Sequence, residues 1–151
     1  MAVRLEFSGS SVIAAARERV WARLIDPHFV AQSIPGLESV QLVDPHHFLI
    51  KSALGVGPVR LELTIDTELL DLQEPERAQL RARASASGSS VTMSSAVRLT
   101  AVEDGRTILD WTATVEIDGT LAGLGPRMLE GIAHKLTTEF WTSFARRAAE
   151  P

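Results

Sequence analysis

The amino-acid sequence predicts an α+β fold in which an antiparallel sheet is covered by one long helix at the C-terminal end. Between Leu37 and Gly119, strand-like segments follow one another without an intervening helix. Strands joined by short connections pair with antiparallel neighbours. A long amphipathic segment comes next, and a sheet with one apolar face needs a layer of that size to cover it.

Length and composition indicate one ordinary globular domain over residues 1–151. The chain is 45% hydrophobic and 23% charged, which is typical of a folded protein, and it is long enough to bury a core and also enclose a cavity. Its formal net charge of -4 argues against nucleic-acid binding, because contacts with phosphate need clustered Lys and Arg. The sequence contains no Cys, which excludes disulfides, thiolate metal sites and cysteine nucleophiles.

The sequence predicts neither a secretory signal nor a membrane-spanning segment. The first residues lack the continuous apolar core of a secretory signal. No stretch approaches the roughly 18 consecutive apolar residues that a membrane-spanning helix needs. We therefore expect a cytoplasmic protein without a transmembrane segment, as a monomer or a dimer.

The N-terminal segment alternates between apolar and polar side chains. Val3, Leu5 and Phe7 are apolar, and Arg4 and Glu6 between them are charged. A period of two is typical of a strand with one buried face. We expect this first strand to continue towards residue 14.

Two short helices are predicted after this strand. Apolar residues recur at helical spacing from Ala15 to Leu24, and Asp26-Pro27 ends this helix because the residue before a proline avoids helical backbone. A second short helix begins at Pro27. It ends before the turn at Pro35-Gly36.

The middle of the chain is predicted to consist of strands separated by residues that favour turns, such as Asp44-Pro45 and Glu103-Asp104-Gly105. Their predicted bounds are Glu38 to Val43, His47 to Gly55, Val59 to Leu70, Ala78 to Ser87, Ser89 to Glu103 and Thr107 to Gly119. Arg77, Arg81 and Arg83 alternate along one of these strands, and we expect them on its outer face, since alternate strand residues share a face.

The last predicted element is a helix from Gly125-Pro126 to about Ala148. A proline suits the first helical turn, where its missing N–H has no helical partner, and the helix is roughly 34 Å long at 1.5 Å per residue. We expect a hinge at Gly123-Leu124-Gly125. The apolar residues of the helix form one stripe, made up of Leu129, Ile132, Ala133, Leu136, Phe140 and Phe144.

The predicted inner face of the sheet has a large side and a small side. The large side comprises Phe48, Ile50, Leu54, Val56, Leu61, Leu63 and Ile65, and the small side comprises Leu80, Ala82, Ala84, Ala86, Met93, Ser95 and Val97. Because protein interiors tolerate few voids, either the helix packs closely on the alanines or a bound molecule fills the space between them.

A cavity of this composition predicts a site for an apolar small molecule, such as a lipid, a quinone or a polyketide. The predicted ligand-binding residues are Trp21, Phe29, Ile34, Phe48, Ile50, Leu61, Leu63, Trp111, Met128, Ile132, Leu136 and Phe140.

Candidates for catalysis or metal binding are few. We interpret His46 and His47 as parts of a surface turn, since a zinc site would need further ligands at suitable spacing. His134 lies off the apolar stripe and is expected in solvent. Glu62 and Asp110 are expected to face outward, as is His28 at a helix start, so the sequence predicts no catalytic residue, no metal and no cofactor.

Trp141 lies beside the apolar stripe and has two interpretations. It either packs at the edge of the core or remains exposed, and exposed aromatic residues often anchor protein interfaces. The second interpretation would favour a protein-interaction module without a ligand.

Several short runs, taken as a set, also resemble a known family. They are Phe7-Ser-Gly9, Val20-Trp21 with Leu24, Asp26-Pro27, Ile34-Pro35-Gly36, Gly55-Val-Gly57-Pro58-Val59, Trp111 and Gly119-Thr-Leu-Ala-Gly-Leu-Gly125. Together they resemble the CoxG family, the G-subunit proteins of carbon monoxide dehydrogenase, within the START and Bet v 1-like superfamily. The resemblance covers nearly the whole chain.

The resemblance implies a helix-grip fold, in which a seven-stranded antiparallel sheet grips the C-terminal helix around an apolar cavity. It also implies association with a molybdenum hydroxylase such as carbon monoxide dehydrogenase, in maturation, membrane recruitment or quinone delivery. Relatives often carry a membrane-seeking tail after the long helix, whereas this sequence ends at Ala149-Glu150-Pro151, so we expect peripheral membrane contact at most. The alternatives are a polyketide or lipid cyclase or hydrolase of the same fold, and the interaction module described above.

Overall fold

The computed structural model describes residues 2–56, 59–86 and 88–151. The predictions made for Gly57, Pro58, Ser87 and the side chains of Val56 and Val59 lie outside this description. Within it, the chain forms seven strands and three α-helices: β1 Val3–Ile13, α1 Arg17–Leu24, α2 Pro27–Ala31, β2 Leu37–Asp44, β3 His47–Val56, β4 Val59–Gln73, β5 Arg77–Ala86, β6 Ser89–Val102, β7 Arg106–Gly119 and α3 Pro126–Ala148.

The strands form one antiparallel sheet in the order β1-β7-β6-β5-β4-β3-β2. Successive strands from β2 to β7 are neighbours, and β1 joins the sheet beside β7 at the far edge. The α+β helix-grip architecture predicted from the sequence is therefore confirmed.

The second short helix begins at Pro27, as predicted, whereas α1 begins at Arg17, two residues after its predicted start. The Asp26 side chain accepts hydrogen bonds from the backbone N–H groups of His28 and Phe29, at 3.1 and 3.4 Å, and Pro27 occupies the first position of α2. An acidic cap satisfies the N–H groups that have no helical partner. This capping separates α2 from α1.

The predicted hinge after β7 is a short 3-10 helix, Thr120–Leu124. Gly119 and Gly125 flank it with φ angles of 88° and 92°, a region that glycine reaches without steric cost. These two glycines redirect the chain from the last strand into α3.

A close approach between two strands occurs where Gly9 on β1 faces Trp111 on β7. A Cβ atom added at Gly9 would lie 2.6 Å from the indole of Trp111. Because Gly9 has no side chain, the indole of Trp111 can lie against β1 at this position. Trp111 forms part of the main core.

The buried residues form two clusters on the inner face of the sheet. The larger cluster includes Phe48, Trp111, Trp141 and Phe144. The smaller one joins Val3, Leu5, Val115 and Ile117 of the sheet to Leu129 of α3. The long helix therefore packs on the sheet through both of its ends.

No helix among the described residues is long and apolar enough to cross a membrane.

Candidate functional site

A cavity of about 260 Å³ lies between the inner face of the sheet and α3. Its lining includes Leu54, Ile65, Ala82, Met93 and Leu129, and none of the lining residues in the described part of the chain carries an ionisable side chain. The lining reaches the surface at Leu124, whose side chain is 38% exposed.

Cross-strand register explains why the space exists. Ile50 pairs with Ile65, Ile65 with Ala84, and Ala84 with Val91, so one continuous row passes from large side chains to a methyl group. The alternating alanines of β5 leave the region beneath α3 incompletely filled. The sequence left two interpretations open, close packing of the helix on these alanines or a space between them, and close packing is therefore wrong.

Many of the predicted ligand-binding residues lie in the cavity lining. They are Ile34, Phe48, Ile50, Leu61, Leu63, Ile132, Leu136 and Phe140. Their contact with a ligand stays a prediction.

The remaining predicted residues do not line the cavity. Trp21 is buried in the main core, and Trp111 stacks on Trp141 instead. Phe29 packs edge to face on Phe144, with ring centroids 5.6 Å apart. Periodicity predicts that each of these side chains points inward, but all three pack in the main core or against it.

Met128 is the fourth residue outside the lining, and its side chain is 55% exposed. It lies one position before Leu129, which is buried. Because neighbouring helical residues point about 100° apart, Met128 projects away from the sheet.

The other lining residues were not predicted as ligand contacts, and they include Thr67, Ser95, Thr137 and Trp141. Thr67 has the same strand parity as Ile65, and this parity could have predicted that Thr67 faces inward. Trp141 is only 4% exposed, so its core interpretation is confirmed and the exposed interpretation is wrong.

The ionisable residues considered as catalytic candidates face outward. His28, Glu62, Asp110 and His134 are all exposed, as predicted. The imidazole of His134 lies on the surface beside the ring of Phe7, with centroids 5.8 Å apart.

A cluster of ionisable groups lies on the outer face of β3 and β4. His47 Nε2 is 2.5 Å from Asp66 Oδ1, and Glu68 Oε2 accepts a hydrogen bond from Arg81 at 3.4 Å. The donor atoms of His47, Asp66 and Glu68 lie within 4.8 Å of one another. Because Arg81 already supplies a cation there, we interpret the cluster as an exposed ion-pair network.

Arg147 joins the end of α3 to α2. Its guanidinium donates to the backbone oxygen of Phe29, to Ser33 Oγ and to Gln32 Oε1, at 2.9, 2.8 and 2.9 Å. It also lies 4.1 Å from the ring centroid of Phe29. Burial lowers the pKa of Arg147 from its ordinary value, and Glu150 opposes that shift. The contact holds α2 beside the part of the cavity lined by Val30 and Ile34.

Comparison with models of protein families shows which family the chain belongs to. The model of the family described as the carbon monoxide dehydrogenase G-subunit (CoxG) matches residues 9–149. This chain belongs to the CoxG family. A comparison with curated protein sequences found no match.

Solved structures similar to this CoxG chain have the same fold. A conserved protein from Geobacillus kaustophilus is 26% identical, with a TM-score of 0.87 over 96% of this chain and 95% of that one. A START superfamily protein from Mycobacterium smegmatis is 13% identical, with a TM-score of 0.69 over 95% and 96%. The ZhuI aromatase/cyclase from Streptomyces sp. R1128 is 19% identical, with a TM-score of 0.67 over 96% and 93%.

Proposed function

We propose that this CoxG protein binds one hydrophobic small molecule of the lipid or quinone type in its cavity, without catalysing a reaction. The observation that carries the proposal is the cavity itself, which is lined mainly by aliphatic and aromatic side chains and has no ionisable residue in its described lining. Sites for apolar ligands are concave and mostly hydrophobic.

The cavity lining offers little means of catalysis. General acid–base chemistry needs a titratable group within hydrogen-bond reach of the reacting atom. The candidates His28, Glu62 and Asp110 are exposed on other surfaces. The residues that surround the ligand supply shape and apolar contact instead.

The volume limits the size of the ligand. Pockets for small molecules usually have volumes of about 300–1,000 Å³, and this cavity has about 260 Å³. One acyl chain or one substituted ring suits this space better than a lipid with two chains.

A carrier of this kind would serve a larger redox enzyme. The family is described as a subunit of carbon monoxide dehydrogenase, and we propose that the partner is a molybdenum hydroxylase of that type or its maturation machinery. The protein would then act as an accessory that holds the apolar molecule for its partner.

A cyclase is the second candidate, because one protein with this fold is named an aromatase/cyclase. That activity requires a polar group inside the cavity that can move a proton. The polar groups in the described part of the lining are the hydroxyls of Thr67, Ser95 and Thr137 and the indole N–H of Trp141, and their ordinary pKa values are too high for this role. The lining therefore favours binding over cyclisation.

The test is native mass spectrometry of the purified protein, followed by solvent extraction and identification of the released compound. A near-stoichiometric apolar molecule is the expected result. If the protein is empty, it is titrated with the uncharged fluorescent probe N-phenyl-1-naphthylamine. An empty protein that also fails to bind this probe would contradict the proposal and favour a ligand-free interaction module.

A further inference from the structure

Three hydroxyl side chains interrupt the apolar lining of the cavity: Thr67, Ser95 and Thr137. Ser95 Oγ donates to the backbone oxygen of Thr112 at 2.7 Å, and Thr137 Oγ1 donates to that of Ala133, also at 2.7 Å. A hydroxyl that has donated its one hydrogen still has lone pairs. Ser95 and Thr137 can therefore accept a hydrogen bond from a molecule in the cavity.

Thr67 differs from the other two hydroxyl residues. Thr67 is only 6% exposed. The hydroxyls of Ser52, Ser95, Thr107 and Thr137 each donate to a backbone oxygen. Within residues 2–56, 59–86 and 88–151, the hydroxyl of Thr67 takes part in none of these hydrogen bonds. The hydroxyl is therefore available to a hydrogen-bond partner in the cavity that this residue lines. A polar atom of a bound molecule would supply that partner, and Thr67 can either donate to it or accept from it.

Register places a small niche between two of these hydroxyls. Thr67 lies directly opposite Ala82, Ala82 opposite Met93, and Leu80 opposite Ser95. Directly opposed Cβ atoms are about 5 Å apart, and diagonal neighbours are about 7–8 Å apart. A small group resting on the methyl of Ala82 would thus lie directly beside Thr67, whereas Ser95 is a diagonal step further away.

The niche lies at the buried end of the cavity. Thr67 pairs on its other side with Phe48, which is fully buried, whereas the lining meets the surface at Leu124. A polar group bound beside Thr67 therefore directs the apolar remainder of the molecule towards Leu124.

Charge decides which polar group fits. A carboxylate only accepts hydrogen bonds, so it would meet the lone pairs of Ser95 and Thr137 without a cation in the described lining to offset the loss of hydration. A hydroxyl group carries no charge and can either accept from Thr67 or donate to it. We infer that the cavity selects an uncharged, hydroxyl-bearing apolar molecule, bound with its hydroxyl against Thr67 and its apolar part towards Leu124; this rests on the proposed function.

The test compares two probes that differ only at the polar end, 1-dodecanol and 1-fluorododecane, by displacement of N-phenyl-1-naphthylamine. The Thr67→Val variant keeps the shape of the side chain and removes its hydroxyl. We expect it to weaken dodecanol about fivefold or more, in line with the loss of one buried hydrogen bond, while the affinity for fluorododecane stays the same.

Matched variants complete the design. Thr64→Val changes an exposed threonine of the same strand and is expected to leave both affinities unchanged, and Thr67→Ser restores the hydroxyl and most of the dodecanol affinity. If Thr67→Val does not fold, Thr67→Ala asks the same question, since it also removes the hydroxyl, and the ratio of the two affinities corrects for the smaller side chain. Dodecanoate at pH 8 is expected to bind at least about tenfold more weakly than dodecanol to the unmodified protein.

The outcomes separate this inference from the proposed function. If Thr67→Val, or Thr67→Ala in its place, leaves the ratio of the dodecanol and fluorododecane affinities unchanged, or if dodecanoate binds as tightly as dodecanol, the inference is overturned while the binding function stands. If no probe binds, N-phenyl-1-naphthylamine included, the proposed function fails and the inference fails with it.

Discussion

The indole rings of Trp111 and Trp141 stack with centroids 6.1 Å apart and planes inclined by 19°. Trp111 comes from β7 and Trp141 from the last third of α3, so the stack joins the sheet to the helix. Phe140 and Phe144 both meet Trp141 edge to face, at 4.8 and 5.6 Å. This aromatic cluster packs the helix onto the sheet beside the cavity.

The stack depends on the space left by Gly9. In the Gly9→Ala variant the new methyl would lie 2.6 Å from the Trp111 ring, so the indole or the strand must move. Overpacking of this kind costs about 1–3 kcal/mol. We expect a lower free energy of unfolding in urea and a change in tryptophan fluorescence.

Gly131→Ala is the matched control. Nothing lies within 4 Å of the position where its Cβ would be added, and it is within α3. Alanine in a helix interior is about 1 kcal/mol more favourable than glycine, so this variant should be more stable. A Gly9→Ala protein as stable as the unmodified one would show that Trp111 adapts without cost.

Filling the cavity should abolish binding and preserve the fold. Leu136 lines the cavity from α3, and in Leu136→Trp the larger ring can occupy space that is otherwise empty, so it costs less than overpacking a filled core. We expect N-phenyl-1-naphthylamine binding to be lost with little change in the melting temperature. Thr138→Trp, at an exposed position of the same helix, should bind the probe normally; equal binding by Leu136→Trp would mean that the probe lies elsewhere.

Removing the Arg147 side chain should loosen α2. The Arg147→Ala variant loses three hydrogen bonds to residues 29, 32 and 33 and the contact with the Phe29 ring. Hydrogen bonds from charged groups contribute about 1.5–3 kcal/mol, and partial exposure places the expected loss towards the lower value. Urea denaturation would report the loss, and faster hydrogen exchange in α2 would locate it.

The neighbouring Arg146 provides the control for this experiment. It is exposed in the same helical turn, and Arg146→Ala should change the free energy of unfolding by no more than about 0.5 kcal/mol. Unchanged exchange rates in α2 of Arg147→Ala would contradict an anchoring role.

A single buried hydroxyl fixes the chain between β1 and α1. Thr107 is fully buried and its Oγ1 donates to the backbone oxygen of Ala15 at 2.7 Å. Thr107→Val leaves that carbonyl without this partner, which should cost about 1–3 kcal/mol in unfolding free energy. Thr100→Val, on the exposed face of β6, should be nearly neutral; equal effects in the two variants would rule out the hydrogen bond as the cause.

The order of the elements was predictable because it depends on local patterns. Alternation fixed which face of each strand is buried, and helical spacing together with Pro126 fixed the start and the buried stripe of α3. The same parity rule placed Glu62 and Asp110 outside. These are properties of a residue and its near neighbours in sequence.

The membership of the cavity lining was only partly predictable. Alternation shows that Trp111 faces inward, but it does not show how far along the sheet the cavity extends or that Gly9 and Trp141 leave room for the ring in the core. Thr67 was not predicted either, although its parity, which it shares with Ile65, places it inside.

By itself, then, the sequence determined the strands, the helices, their buried faces and the scarcity of ionisable groups on the inner face. Only the tertiary structure decided which inward side chains close the core and which surround the cavity. That choice depends on register between strands and on where α3 crosses the sheet, and both bring together residues distant in sequence, such as Thr67, Ala82 and Ser95.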